Sequence, residues 1–169
     1  MTDTPLTLEL AQPDDAAALA DISRRAFETD SAVGGTGPGG PPGYDTAAWQ
    51  RSMMTKASAY WKLLLDGQLI GGAIVFSYPR GRYYLARLFL DPDYHRQGLG
   101  LRAMEALLAA YPEARVWRLE TPPWNQRTRA FYKKLGFRVV RETAEDVFFQ
   151  KTMSAVSYTH LRAHETVLD

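Results

Sequence analysis

The segment Leu6–Leu10 alternates apolar and polar residues, the two-residue period of a strand with one buried face. Pro13-Asp14-Asp15 then opens a helix, with a proline and two acids in its first turn. Leu19, Ile22, Ala26 and Phe27 give that helix an apolar stripe. The periodicity stops over residues 31–44, which are mostly glycine and proline and carry no charge. Neither helix nor strand suits that composition, so a loop is predicted there. Long loops in compact domains often serve as lids over a site, which is its functional reading. Asp45 is placed to cap a short helix running to Lys56, with Trp49 and Met53 on one side. Residues 60–65, 70–78 and 83–90 read as three strands of an antiparallel meander, the first two joined by the hairpin signal Asp66-Gly67. A helix is predicted over 99–111, where Leu101, Met104, Leu107 and Leu108 recur at helical spacing. After it come a strand over 115–121, a break at Pro122-Pro123 and a helix over 126–135. Gly136 stands ready to end that helix. Residues 137–142 and 147–152 make a last strand pair.

The predicted order is β-α-α-β-β-β-α-β-α-β-β: a mixed, mostly antiparallel sheet of about seven strands with helices on both faces, in the α/β (α+β) class. At 169 residues the chain fits a single domain, expected to occupy residues 1–153. Residues 154–169 do not continue the pattern. Their run from Ser157 to Asp169 resembles a translated adapter or vector sequence, so the tail is expected to be non-native.

Charge narrows the partners. Twenty basic against nineteen acidic residues give a net charge of +1, which argues against non-specific nucleic-acid binding. No apolar run approaches the ~20 residues that cross a bilayer. The first residues carry neither the basic region nor the apolar stretch of a signal peptide, so a cytoplasmic location is expected. There is no cysteine, which removes disulfides and thiolate chemistry, and two of the three histidines fall in the tail, so no metal site is expected.

The candidate chemistry concentrates at Tyr94-His95-Arg96-Gln97-Gly98-Leu99-Gly100-Leu101, where a strand leads in and a helix leads out. Two glycines let the backbone approach a ligand, and the first helical turn presents unpaired N–H groups that suit a phosphate. Residues 98–103 also fit the Gly-x-Gly-x-x-Ala dinucleotide fingerprint, with Glu120 about 20 residues on as a ribose-binding acid. Seven residues between strand and first glycine, and upstream strands joined by hairpins, oppose that oxidoreductase reading. A second segment adds Asn125, Thr128, Phe131, Tyr132, Lys134, Gly136 and Phe137 at fixed offsets along one helix and its cap.

The turn and this segment together resemble the GNAT superfamily of acyl-CoA-dependent N-acetyltransferases. The turn resembles Gln/Arg-x-x-Gly-x-Gly/Ala, and the later helix resembles Asn-x-x-Ala-x-x-Phe/Leu-Tyr-x-Lys-x-Gly-Phe. His95 and Thr128 depart from these patterns. The resemblance implies a GNAT fold that uses acetyl-CoA and releases coenzyme A. The diphosphate would lie on the amides of Arg96, Gln97, Gly98, Leu99, Gly100 and Leu101. The pantetheine arm would pair with the backbone of Leu88 and Leu90, beside Phe89, in a gap between strands 83–90 and 115–121. Asn125, Tyr132 and Lys134 complete the implied coenzyme set. One or two cations of the cluster Arg127, Arg129, Lys133, Lys134, Arg138 and Arg141 would meet the 3′-phosphate.

The resemblance further implies a small primary amine as acceptor and Tyr132 as the acid that protonates the leaving thiolate. Glu120 is the candidate base, since it alternates with Leu119 and so faces the gap if Leu119 faces the core. Without cysteine, transfer is direct within a ternary complex, and a backbone N–H near Leu90 would stabilise the oxyanion. Glu28, Asp30, Tyr44, Asp45 and Glu120 are the candidate acceptor contacts. Their acids suit a cationic amine, with an aminoglycoside as the leading example and antibiotic resistance as the implied role. A coenzyme-binding sensor without activity is the rival reading. The superfamily often dimerises, which carries over a homodimer as an expectation.

Overall fold

The computed structural model describes residues 4–29 and 39–153. Among them thirteen elements follow in order: β1 (Leu6–Leu10), a 3-10 turn (Pro13–Asp15), α1 (Ala16–Glu28), α2 (Ala47–Lys56), β2 (Ala59–Leu65), β3 (Gln68–Tyr78), β4 (Arg82–Leu90), a second 3-10 turn (Pro92–Tyr94), α3 (Leu99–Ala109), β5 (Val116–Thr121), α4 (Gln126–Lys134), β6 (Arg138–Glu142) and β7 (Val147–Thr152). The expected tail falls outside the described residues, as does Asp30.

The strands form one sheet in the order β1-β2-β3-β4-β5-β7-β6. Every neighbouring pair is antiparallel except β4 with β5. That arrangement excludes the parallel, doubly wound sheet a dinucleotide oxidoreductase would need. The α1 stripe behaves as its sequence predicts: Leu19, Ile22 and Ala26 are buried with Tyr60, Ile74 and Phe89, and Trp49 and Met53 of α2 pack on the same cluster. On the opposite face Met104 and Leu107 of α3 and Tyr132 of α4 pack against Leu85, Trp117, Leu119, Phe137 and Phe149. Helices therefore cover both faces.

Local chemistry shifts several expected boundaries. Pro13–Asp15 is a separate 3-10 turn, closed by the Asp15 carboxylate accepting from the Gln12 N–H at 2.7 Å, so α1 begins only at Ala16. Thr46, not Asp45, caps α2: its hydroxyl accepts the Trp49 N–H at 3.1 Å. Leu101, expected in the α3 stripe, is 40% exposed, because Leu99, Ala103, Met104 and Leu107 already fill the face against the sheet. Gly136 follows the α4 C-cap Leu135 and takes φ +96°, the left-handed conformation that ends a helix.

Two irregularities in the sheet shape the site. In β4, Leu85 pairs with Val75 and Arg87 with Ile74, leaving Ala86 as an extra residue. In β6, Val139 pairs with Phe149 and Arg141 with Phe148, so Val140 is extra. The parallel ladder between β4 and β5 covers only Arg82↔Val116, Tyr83↔Trp117 and Tyr84↔Arg118. Beyond that register the two strands continue without pairing, and a gap opens in the middle of the sheet.

Candidate active site

The turn before α3 is organised by its own side chains. Asp91 caps the 3-10 turn through the Asp93 N–H at 2.9 Å. Its carboxylate also receives both guanidinium N–H groups of Arg25, at 2.8 and 3.1 Å, which ties α1 to the end of β4. Hydrogen bonding from Arg25 holds the Asp91 carboxyl below its usual range, and the same pair, with Asp21, raises Arg25. The His95 ring Nε2 donates to the Leu90 carbonyl at 2.8 Å. The pantetheine arm is expected to pair with the Leu90 backbone, so His95 already takes an acceptor there.

Arg96 and Gly98 both adopt left-handed backbone, with φ +64° and +74°. For arginine this conformation costs roughly 1–2 kcal/mol, and such strain collects where a backbone clamps a ligand. Gly98 is the N-cap of α3 and offers no capping side chain. The N–H groups at the start of α3 therefore have no side-chain partner from the cap. A Cβ on Gly98 would meet nothing within 4 Å, so it would project into open space in front of those amides. A Cβ on Gly100 would lie 3.4 Å from the Phe131 ring. The turn and the α4 segment, distant in sequence, are thus side by side.

Asn125 caps α4 by accepting the Thr128 N–H at 3.0 Å and is buried. Lys134 is exposed. Tyr132 is buried, its ring centroid 5.0 Å from Phe131, 5.5 Å from Phe137 and 6.1 Å from Phe149. Burial pushes its phenol well above the ordinary value, so the proton stays on the oxygen at neutral pH. Thr121, at the end of β5, is 4% exposed, and its hydroxyl has no partner among the described residues. An orphaned hydroxyl beside the gap and uncapped amides at α3 fit a ligand that carries both a diphosphate and an amide-bearing arm. Leu88 and Leu90 pack toward Leu63, Ile70 and Leu99, while Phe89 packs against α1.

Glu120 occupies the opposite face. Leu119 and Thr121 are buried, and Glu120 between them is exposed. It lines a cavity of about 500 Å³ with Tyr84, Arg118, Val140, Arg141, Phe148 and Gln150. Burial and then the Glu120 carboxylate push the Tyr84 phenol up to about 12. Two candidate acids fall outside this cavity. Glu28 is an ion-pair partner of Arg24 at 3.2 Å and accepts from the Tyr44 hydroxyl at 3.0 Å. Asp45 is exposed beside the start of α2.

Sequence reasoning does not single out Tyr84, Arg118, Val140, Arg141 or Phe148 as neighbours of Glu120. Arg118 shares a face with Glu120 by strand alternation, which is a readable signal. The other four depend on strand register and on the Val140 bulge. The described end of the glycine-proline loop is pinned: Gln50 Nε2 donates to the Gly43 carbonyl at 3.2 Å, and Arg87 donates to the Pro42 carbonyl at 2.9 Å.

A model of the acetyltransferase (GNAT) family matches residues 17–137, a stretch from α1 to just past the end of α4. The chain belongs to the GNAT acetyltransferase family. Among curated relatives, the uncharacterized protein YrkN of Bacillus subtilis is 36% identical over 93 residues, covering 54% of this chain and 50% of that protein. An uncharacterized N-acetyltransferase of Mycobacterium tuberculosis is 34% identical over 77 residues, covering 44% of this chain and 49% of the relative. The chain thus spans about half the length of the curated relatives it matches.

Solved structures agree on the fold. An acetyltransferase from Thermus thermophilus has a TM-score of 0.74 at 20% identity, covering 90% of this chain and 100% of its own. The PaiA N-acetyltransferase from Thermoplasma acidophilum, solved with coenzyme A, has a TM-score of 0.70 at 17% identity, covering 88% of this chain and 99% of its own. Among the described residues no helix is long and apolar enough to cross a membrane.

Proposed function

We propose that this GNAT protein is an N-acetyltransferase that moves the acetyl group of acetyl-CoA to a small primary amine by direct transfer. One observation carries the reading. β4 and β5 part beyond Tyr84 and Arg118, with Tyr132 packed on the face that buries Leu119 and with Glu120 on the opposite face of β5.

Acetyl-CoA, when bound, supplies an acetyl group activated as a thioester. Around it, Arg96 to Leu101 hold the diphosphate on backbone N–H groups. Asn125 keeps α4 in place by capping it. Glu120 accepts the proton that the amine must lose as its nitrogen bonds to the acetyl carbon. Tyr132 donates its proton to the sulfur as the carbon–sulfur bond breaks. The products are the acetylated amine and free coenzyme A, and the two protons balance.

The expected aminoglycoside draws no support from this geometry. A polycation would need several acids in one cavity, and Glu120 shares its cavity with two arginines. The non-catalytic sensor reading predicts coenzyme binding without turnover. Thiol release from acetyl-CoA in the presence of amines, with mass spectrometry of the product, separates the two. Amine-dependent release is expected; binding with no release from any amine would leave only the sensor.

A further inference from the structure

The cavity that Glu120 lines holds more positive charge than an ordinary alkylamine can use. Arg118 donates through Nε to Gln150 Oε1 at 3.1 Å, and the Arg141 guanidinium carbon sits 4.5 Å from the Phe148 ring centroid. Neither guanidinium meets a carboxylate among the described residues. Both side chains line the cavity that Glu120 also lines. Arg118 and Glu120 are two residues apart on one face of β5, about 7 Å between Cα atoms at a rise of ~3.4 Å per residue. Arg141 reaches the same cavity because the Val140 bulge brings both residues of the pair to its lining.

We propose that the acceptor is a small amino-carboxylate, whose carboxylate is held by Arg118 and Arg141 while its amine faces Glu120. This rests on the acetyltransferase reading above and deepens it. A carboxylate suits paired guanidinium groups because their planar N–H forks match its two oxygens. An amine on the same or a neighbouring carbon then falls within reach of Glu120. Val140 and Phe148 offer an apolar wall to an aliphatic or aromatic side chain. The carboxylate takes no part in the transfer, so the bond changes are those already given. The two arginines are specificity-determining residues, and Glu120 keeps its role as base.

The test uses the full chain and matched pairs of acceptors: L-phenylalanine with phenethylamine, and L-leucine with isoamylamine, plus spermidine. Thiol release should give a kcat/KM for each amino acid roughly tenfold or more above its decarboxylated partner, the loss typical of a charged hydrogen bond. Arg118→Gln and Arg141→Gln should each bring the ratio of amino acid to decarboxylated amine close to one, chiefly through a raised KM for the amino acid. Circular dichroism and saturable acetyl-CoA binding by the same variants should report that they fold. Equal or faster use of the decarboxylated amines or of spermidine overturns the amino-carboxylate assignment and leaves acetyl transfer standing. Absence of release with every acceptor, while acetyl-CoA binds, overturns it together with the acetyltransferase reading and leaves the sensor. Absence of acetyl-CoA binding in the wild type instead overturns the acetyltransferase reading itself.

Discussion

Replacing Tyr132 by phenylalanine removes one oxygen from a ring already held by Phe131, Phe137 and Phe149. The packing survives, so the fold and coenzyme affinity should change little. If Tyr132 is the proposed acid, protonation of the leaving sulfur is lost, and that step matters mainly in the transition state. Tyr132→Phe is therefore expected to lower kcat on the order of 10²-fold with an unchanged dissociation constant for acetyl-CoA. Steady-state kinetics beside calorimetry checks this, and wild-type turnover would return Tyr132 to a packing role. Glu120→Gln keeps size and polarity but cannot accept a proton. Its rate should fall by a comparable factor. The loss should be greatest at low pH, where most of the amine is protonated and removal of its proton limits the reaction. A pH–rate profile of the variant that parallels wild type would exclude Glu120 as base.

At the scale of elements, Arg25 and Asp91 join α1 to the strand end from which the α3 turn departs. Asp91 is 8% exposed, and its carboxyl is depressed in the folded state by Arg25. A depressed folded value means that the pair's contribution is present above the unfolded carboxylate range and is lost as pH falls through the folded value. Arg25→Ala should cost about 1–3 kcal/mol near neutral pH. The gap between wild type and variant should close below about pH 4, where the carboxyl protonates in the unfolded chain and then in the folded one. Melting temperatures measured across pH test this; a constant difference down to the lowest pH would contradict it.

The same scale shows what the sequence reveals. Strand alternation in Leu6–Leu10, the stripe of α1 and the Asp66-Gly67 hairpin locate their elements, because each is a local consequence of period or turn chemistry. The position of Glu120 on the opposite face from Leu119 follows from the same alternation. Arg141 and Phe148 cannot be placed this way, since their meeting depends on the β6–β7 register and on one extra residue at Val140. The cap of α2 lies one residue later than expected because Thr46 and Asp45 are both good caps, and only the backbone geometry chooses between them. The His95–Leu90 contact is hidden for a different reason: it joins a side chain to a carbonyl across a turn whose left-handed residue, Arg96, is not one that composition favours there.

At the scale of the whole molecule, the two faces of the sheet flank the β4–β5 gap. One face brings the α3 turn against α4, with Gly100 beside Phe131, and the other brings Glu120 into the arginine-lined cavity. Coenzyme bound across that gap should stabilise the native state by mass action, so the melting temperature should rise with acetyl-CoA concentration and not with NAD. The most direct measurement is a calorimetric titration of acetyl-CoA into wild type and Gly98→Val, with circular dichroism to confirm that both are folded. Gly98 has left-handed backbone and open space where a Cβ would project. The variant should therefore strain the turn by roughly 1–2 kcal/mol and place its side chain in front of the α3 amides. Saturable binding to wild type and none detectable to folded Gly98→Val is the expected result. Equal affinity in both proteins would contradict it.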